Sequence, residues 1–484
     1  MNERTWRGKW WDADRPENKI PGTLRCTEEG DLRLELIGGI DITTRIKLPA
    51  GNVYAVSEGS RDVPMIHGIS NNEEFTLLSN TALHTGNQLF GNGDILKQDW
   101  SSNRALRGVH LSSLDEPIFI RGHLRLERLL HWSNRSSLEV AIKRGEEGRI
   151  TERSAGVRDV EPAIAIYSDI QILLRILSRD FQREDDVVSN ERSISATEAA
   201  VLTFSPKEPV SFKGFDEIAK DMQDLLTLST YEPCGSLNRS IIYCPFGDDR
   251  AKEVEVIGRQ IYRTTEKRKV RRSDFLLTIA DIEFDALVSA WLSLKGNART
   301  ACNILFGLRY ISQGYVGTRL LGVASAAESM HAALRSASTP IQKSEYRRLK
   351  KKLMSAIADE SDELQQFVKT GLRNNPTYYD RMVDLASIPD GEATRELIPD
   401  IEAWARMLKN ARNDLAHANE RSSQDEETSR AFWLLEITYA LLCLVLLAEM
   451  GISSEVQRAA VRRNSRISYA SRQFKRVLSG SIKD

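Results

Sequence analysis

Hydrophobic and polar residues alternate with two different periods along the chain, and the period changes near residue 280. Before that point, short runs such as DLRLELIGG, ITTRIKL and EEFTLLS alternate residue by residue and are broken by Gly, Asp and Pro. This pattern is typical of strands with one buried face. One segment, FDEIAKDMQDLLTLS, has apolar residues at helical spacing instead. Residues 1–280 are therefore predicted to form a β-rich domain, a sandwich or a distorted barrel, interrupted by one helix.

From residue 281 to residue 484, apolar residues recur at three and four positions, which predicts helices. Clear examples are GTRLLGVASAAESMHAALRS, DIEAWARMLKNARNDLAHA and TSRAFWLLEITYALLCLVLLAEM, with Gly and Pro between the periodic segments. This second part is predicted to be an all-α domain with a basic C-terminal tail. The whole chain is thus predicted to be a multidomain α+β protein.

The most apolar segment, Ile437 to Ala448, is predicted to be a buried helix. It is twelve residues long between Glu436 and Glu449, whereas a helix needs about 20 residues to cross a bilayer. The N-terminus has no apolar segment typical of a secretory signal. Five scattered cysteines, with no C-x-x-C pair, indicate neither a zinc site nor a disulfide framework. We therefore expect a cytoplasmic protein with no membrane partner, no metal and no cofactor.

One arginine and one histidine near the end of a predicted helix are candidates for chemistry. The pattern R-x(4 to 6)-H is weak alone, because about two matches are expected by chance in this chain. Four occur: Arg61 to His67, Arg104 to His110, Arg125 to His131, and Arg412 to His417. Only the fourth lies in a predicted helix, has Asn413 directly after the arginine, and precedes the most apolar helix.

RNDLAH resembles the R-N-x-x-x-H signature of HEPN domains, which are four-helix bundles found in many prokaryotic ribonucleases and RNA-targeting defence proteins. The helices around it match the HEPN order over residues 290–455. The N-terminal segment resembles the start of ApeA-type anti-phage proteins, which have a W-W-x-P-like start followed by G-x-L and L-x-L strands. The residues that carry this second resemblance are Trp10, Trp11, Pro16, Gly22, Leu24, Leu32, Leu34 and Leu36.

The chemistry of these side chains suits metal-free RNA cleavage. Histidine is the side chain whose ordinary pKa lies nearest neutral pH, so His417 can serve as acid or base. Arg412 stays charged and offers a planar fork to phosphate oxygens. Asn413 is four residues before His417 and could orient the imidazole or the phosphate. Glu328, on an earlier helix, could position Arg412 or tune His417, or be an ordinary salt-bridged helix residue.

Arg412 and His417 lie about 140° apart around one helix, so a single helix directs them poorly at one phosphate. Two copies that meet at a two-fold axis would bring both pairs into one cleft, and the resemblance implies such an assembly. We therefore expect a homodimer, or a higher homo-oligomer, formed through the HEPN domain. His331, three residues after Glu328, continues an apolar stripe and is predicted to be a buried histidine with a hydrogen-bond partner.

The basic tail is a candidate RNA-binding segment, because cations interleaved with aromatic residues suit a phosphate backbone and unstacked bases. The alternative is a solvated helix face. The candidate residues are Arg462, Arg463, Arg466, Arg472, Lys475 and Arg476.

The resemblance implies a metal-independent endoribonuclease in abortive anti-phage defence, with tRNA preferred over mRNA as substrate. The β-rich domain would then sense infection or restrain the nuclease, and a phage-encoded trigger would be a further partner. Two alternatives stay open: a non-catalytic HEPN scaffold, and an RNA-binding regulatory protein that uses the tail. Retention of Arg412, Asn413 and His417 argues against the scaffold.

Overall fold

The structure is a computed structural model that describes residues 3–42, 46–47, 53–54, 62–87, 95–145, 148–186, 191–245, 250–264, 269–311, 313–335, 341–416 and 424–480. It divides the chain into two compact units. The β-rich unit comprises residues 1–223 and 234–268, and the helical unit comprises residues 224–233 and 269–484. By comparison, the sequence predicted a boundary at residue 280.

The β-rich unit is dominated by antiparallel strands, with one short and one long helix. Its strands are β1 (Arg4–Asp12), β2 (Ile20–Cys26), β3 (Leu32–Ile37), β4 (Ile46–Lys47), β5 (Val53–Tyr54), β6 (Met65–Ser70), β7 (Glu73–Asn87), β8 (Ile95–Arg107), β9 (Phe119–Leu126), β10 (Leu138–Arg144), β11 (Ile150–Val157), β12 (Ala163–Tyr167), β13 (Ile170–Asp186), β14 (Glu191–Pro206), β15 (Ser236–Tyr243) and β16 (Lys252–Ile257). Helix α1 (Leu129–Ser133) follows β9, and helix α2 (Phe212–Thr230) follows β14.

The first six strands of the main sheet close into a barrel. Strands β8, β3, β2, β1, β6 and β7 are hydrogen-bonded in that order, and β7 pairs back with β8. From β8 the sheet continues through β16, β15, β9, β14, β13 and β12. Of the two predicted architectures, a sandwich and a distorted barrel, the barrel is the one that these first strands form. The other six strands of this sheet extend it as an open antiparallel sheet, while β4 pairs with β5 and β10 with β11 in two separate sheets.

The barrel core explains the apolar N-terminal pattern. Trp10, Leu24 and Leu34 are fully buried and pack with Phe75 and other inward-facing residues. Gly68 lies against the indole of Trp10, where a β-carbon would come within 2.1 Å of the ring. Trp10 and the L-x-L positions of the sequence are therefore barrel-core residues, whereas Trp11, the next residue on β1, lies on the opposite face against the rings of His67 and His110.

The helical unit contains the end of α2 and eleven further helices among the described residues. They are α3 (Phe284–Asn297), α4 (Arg299–Tyr310), α5 (Val316–Leu334), α6 (Lys343–Ala356), α7 (Asp362–Gly371), α8 (Tyr378–Ala386), α9 (Gly391–Leu397), α10 (Ile401–Ala416), α11 (Gln424–Glu449), α12 (Ser454–Arg463) and α13 (Ser465–Leu478). Helices α5, α8, α10 and α11 each pack against the other three, and they form a four-helix core. The predicted fold class, a β-rich region followed by a helical bundle, is confirmed.

Helix α11 supplies most of the apolar core of this unit. Residues Glu427–Glu449 are long and apolar enough to cross a membrane by length and composition, but 72% of their most apolar window is buried inside the protein. The side chains from Tyr439 to Leu447 are at most 2% exposed. Other helices surround this segment, as expected for the core helix of a bundle.

One fully buried and one partly buried polar cluster join helices of the helical unit. The ammonium group of Lys295 is fully buried and donates to Asp224 Oδ2 at 2.6 Å, while the hydroxyl of Tyr310 donates to Asp224 Oδ1 at 2.8 Å. Arg309 donates to both carboxylate oxygens of Glu436, at 3.3 and 3.0 Å. Removal of Asp224 would leave the ammonium group of Lys295 buried without its counterion, which strongly destabilises proteins.

Candidate functional site

Helix α10 carries the predicted arginine on its buried stripe. Trp404 and Leu408 are fully buried, and Arg412 follows four residues later on the same face. The indole Nε1 of Trp404 donates to Thr438 Oγ1 of α11 at 2.9 Å, which fixes the rotation of α10 about its axis. Arg412 therefore points toward neighbouring helices.

The carboxylate of Glu328 on α5 bridges two arginines. Its Oε2 accepts from Nη2 of Arg412 at 2.9 Å, and its Oε1 accepts from Nη1 of Arg381 at 3.2 Å. The three side chains are only about one third exposed. Of the roles that the sequence left open for Glu328, this contact fits both the positioning of Arg412 and an ordinary salt-bridged helix residue, so its role in catalysis stays a prediction.

Tyr378, the first residue of α8, supports Arg412 from another side. The guanidinium carbon of Arg412 lies 4.8 Å from the centre of the Tyr378 ring, a cation–π contact. The Tyr378 hydroxyl donates to the carbonyl oxygen of Ala324 on α5 at 3.1 Å. Burial raises the pKa of this hydroxyl well above its usual range, so it stays protonated near neutral pH. Arg412 is thus held by residues of both α5 and α8.

A second polar pair joins α5 and α8 one turn further along. His331 is 7% exposed, and its Nε2 lies 2.9 Å from Asp384 Oδ2. Because His331 follows Glu328 by three residues and Asp384 follows Arg381 by three, the two pairs lie side by side on the same helix faces. This is the buried, hydrogen-bonded histidine that the sequence predicted.

The other two predicted catalytic residues are Asn413 and His417. Asn413 is exposed, and its proposed role in orienting the imidazole or the phosphate stays a prediction. His417 lies outside the described residues, since the description of α10 ends at Ala416 and resumes at Gln424. The structure therefore brings together Arg412 and Glu328, and the role of His417 stays a prediction.

The candidate RNA-binding residues lie on two helices, α12 and α13, and all six are exposed. Arg462 pairs with Glu392 and Glu396, and Arg466 pairs with Glu232 at 2.6 Å. Arg463, Arg472, Lys475 and Arg476 form no ion pair within the part of the chain that the structure describes. The positive charge of the tail is therefore partly neutralised, most of all on α12.

Sequence reasoning missed Tyr378 and Arg381, although a signal was present. The segment TYYD fits a capping box, in which Thr377 accepts from the backbone of Asp380 while Asp380 accepts from the backbone of Thr377. That motif predicts a helix start at residue 378. In a helix that begins at Tyr378, Arg381 and Asp384 lie three residues apart on one face. Glu328 and His331 have the same three-residue spacing on α5.

The described residues include no group of three or more His, Cys, Asp or Glu side chains placed to hold a metal ion. Among the described residues, the side chains that meet at this site are two guanidinium groups, a carboxylate and an aromatic ring.

Sequence profiles of two known protein families match the two parts of the chain. A sequence profile for ApeA N-terminal domain 1 matches residues 5–291, which is more than half of the chain. A second profile, for the Apea-like HEPN domain, matches residues 321–456 and covers the four-helix core with Glu328, Arg381 and Arg412. No curated protein and no solved structure gives a significant match.

Proposed function

The chain belongs to the ApeA family, and on this premise we propose that its HEPN domain is an anti-phage nuclease and acts as a metal-independent endoribonuclease. The single observation that carries the proposal is the pairing of Arg412 with Glu328 at 2.9 Å. It fixes the arginine of the R-N-x-x-x-H motif with its guanidinium partly exposed. An arginine prepared in this way can stabilise charge on a phosphate without reorganising during the reaction.

The proposed reaction needs three groups. A base removes the proton from a ribose 2'-hydroxyl, and the 2'-oxygen attacks the adjacent phosphorus. The bond from phosphorus to the 5'-oxygen breaks, and an acid protonates that oxygen. The products are a 2',3'-cyclic phosphate and a 5'-hydroxyl. His417 would supply the base or the acid, Arg412 would stabilise the charge on the phosphate oxygens, and Asn413 would orient the imidazole or the phosphate.

We further propose that the active form is a homodimer or a higher homo-oligomer. One chain contributes a single R-N-x-x-x-H motif, whereas the reaction uses both an acid and a base. Two protomers related by a two-fold axis would contribute His417 and the partner subunit's His417 to one cleft. Assembly would then be a condition for cleavage.

We also propose a substrate class and a cellular location for this activity. RNA is the substrate, with tRNA preferred over mRNA, and the tail residues Arg463, Arg472, Lys475 and Arg476 would contact its backbone. The enzyme would act in the cytoplasm in abortive defence, with no membrane partner. The β-rich unit would sense infection, through a phage-encoded trigger, or restrain the nuclease.

The proposal is tested by incubating the full-length protein with total bacterial RNA in EDTA and mapping the fragment ends by sequencing. We expect discrete cuts with 2',3'-cyclic phosphate ends, which His417→Ala and Arg412→Gln abolish. Asp384→Asn is the matched control, since it alters a polar pair on the neighbouring turn and leaves the motif intact. If the fragments persist in His417→Ala, or if RNA stays intact both alone and in extract from phage-infected cells, the scaffold or RNA-binding alternative replaces the nuclease.

A further inference from the structure

We propose that Arg381 is a second phosphate-binding residue of this site, held beside Arg412 by their shared partner Glu328. This inference rests on the proposed function, since it assigns RNA phosphate as the ligand. The R-N-x-x-x-H motif does not include Arg381, which lies on a different helix, α8. Its position next to Arg412 is visible only in the folded chain.

The charge balance of the cluster favours an anion. Glu328 supplies one negative charge, and each of its two oxygens accepts a hydrogen bond from a different guanidinium, those of Arg412 and Arg381. Two cations against one carboxylate leave one net positive charge. Because these side chains are partly buried, that charge is screened less than on an open surface. The cluster therefore attracts a further anion.

The hydrogen-bond donors that this anion would use are available. Arg381 donates through Nη1 to Glu328 and through Nε to the carbonyl oxygen of Pro376 at 3.3 Å. Arg412 donates through Nη2 to Glu328. Within the described ranges, Nη2 of Arg381 and both Nη1 and Nε of Arg412 have no protein acceptor. A phosphodiester offers oxygens that match these planar donors.

The geometry of Arg381 is fixed before any ligand arrives. Its carbonyl contact to Pro376 holds the side chain close to the N-terminus of α8, and Glu328 holds the end of its guanidinium group on the α5 side. Arg412 is fixed by the same carboxylate and by the ring of Tyr378. Such preorganisation lowers the entropy lost when RNA binds. Glu328 is thus a positioning residue that sets the spacing of two cations.

The two arginines should contribute differently to the reaction. Arg412 belongs to the motif with His417 and would act on the phosphate that is cleaved, so its loss should lower kcat. Arg381 would bind the RNA backbone equally in the ground state and the transition state, so its loss should raise KM with little change in kcat. A merely structural ion pair between α5 and α8 would give no such split.

The test compares Arg381→Gln, Arg381→Lys and Asp384→Asn in the full-length protein. Asp384→Asn weakens the neighbouring pair to His331 on the same two helices, and it controls for general loosening of the helix contact. Binding is measured with labelled bulk bacterial tRNA in the His417→Ala background, at several salt concentrations. Cleavage of the same tRNA is measured with His417 intact. Thermal melting of each variant reports its folding.

We expect Arg381→Gln to weaken tRNA binding about tenfold, as for loss of a charge-assisted hydrogen bond. It should also reduce the slope of log affinity against log salt by roughly 0.7 to 0.9, as for one lost phosphate contact. Arg381→Lys should recover the salt slope and part of the affinity, while Asp384→Asn should leave both unchanged. The matching kinetic result is a raised KM with nearly constant kcat.

The inference is overturned if Arg381→Gln and Asp384→Asn bind tRNA alike with unchanged salt slopes. That result, combined with cleavage by the wild type, would leave the nuclease in place and make Arg381 structural. Binding that depends on Arg381, without cleavage by the protein either alone or in extract from phage-infected cells, would instead support the phosphate site and contradict the nuclease. Absence of both binding and cleavage would overturn both proposals.

Discussion

The guanidinium group of Arg412 lies over the ring of Tyr378 at 4.8 Å, and this contact predicts how two substitutions of one side chain should differ. Tyr378→Phe keeps the aromatic face, whereas Tyr378→Leu removes it. A cation–π contact of about 0.5 to 2 kcal/mol corresponds to a loss of roughly two- to thirtyfold in RNA cleavage for Tyr378→Leu. Initial rates on bulk tRNA measure this. If the phenylalanine variant is as slow as the leucine variant, the hydroxyl bond to Ala324 is the important contact.

A second prediction at the residue scale concerns the hydrogen bond between Trp404 and Thr438. Both residues are fully buried, so Thr438→Val leaves the indole N–H without an acceptor. We expect the free energy of unfolding to fall by about 1 to 3 kcal/mol. Thr438→Ser keeps the hydroxyl and should lose less. Denaturant unfolding followed by tryptophan fluorescence measures both, and a larger loss for Thr438→Ser than for Thr438→Val would show that the methyl group of the threonine matters more than its oxygen.

At the scale of elements, helices α9 and α12 are joined by ion pairs whose strength depends on pH. Asp390 accepts two hydrogen bonds from Arg458, which lowers the pKa of its carboxyl far below the usual range. Arg462 likewise lowers the pKa of Glu396. A carboxyl whose pKa is lower in the folded state than in the unfolded state contributes its full stabilisation at pH values above its unfolded pKa of about 4. This contribution is lost as the pH falls toward the pKa of the folded state.

We therefore expect the melting temperature to fall as pH decreases from about 5 to 3. Arg458→Gln should lower the melting temperature at pH 7 and reduce its dependence on pH in the acid range. Melting curves recorded by circular dichroism across this range provide the measurement. A pH dependence identical to that of the wild type would show that the Asp390 pair contributes nothing to stability.

The sequence predicted elements with strong periodicity and missed those without it. The alternating runs near the N-terminus form barrel strands, and the apolar segment around Tyr439 forms the central helix. Barrel closure was left open, because it depends on the pairing of β7 with β8, which local alternation does not encode. Helices α8 and α9 were missed because they are short and their signal lies in the caps at Thr377 and Asp390. Without α8, Arg381 could not be placed beside Arg412.

At the scale of the whole molecule, the proposed two-fold site makes activity a property of the pair. The His417→Ala chain should be inactive alone. When it is unfolded together with an equal amount of wild-type chain and refolded as a mixture, the mixed dimers contain only one His417, and we expect RNA cleavage to fall below the half that independent chains would give. Light scattering after size exclusion reports the dimer. Monomeric protein that still cleaves RNA would contradict a shared site.

Helix α2 contributes residues to both units of the chain. Its last seven residues belong to the helical unit, where Asp224 is the partner of the fully buried ammonium group of Lys295. A fragment that begins at residue 281 carries the whole R-N-x-x-x-H motif but retains a buried charge without its counterion. Removal of one member of such a pair destabilises proteins by about 3 to 5 kcal/mol. A gene truncation that deletes the first 280 codons would therefore release an unstable polypeptide rather than an unrestrained toxin.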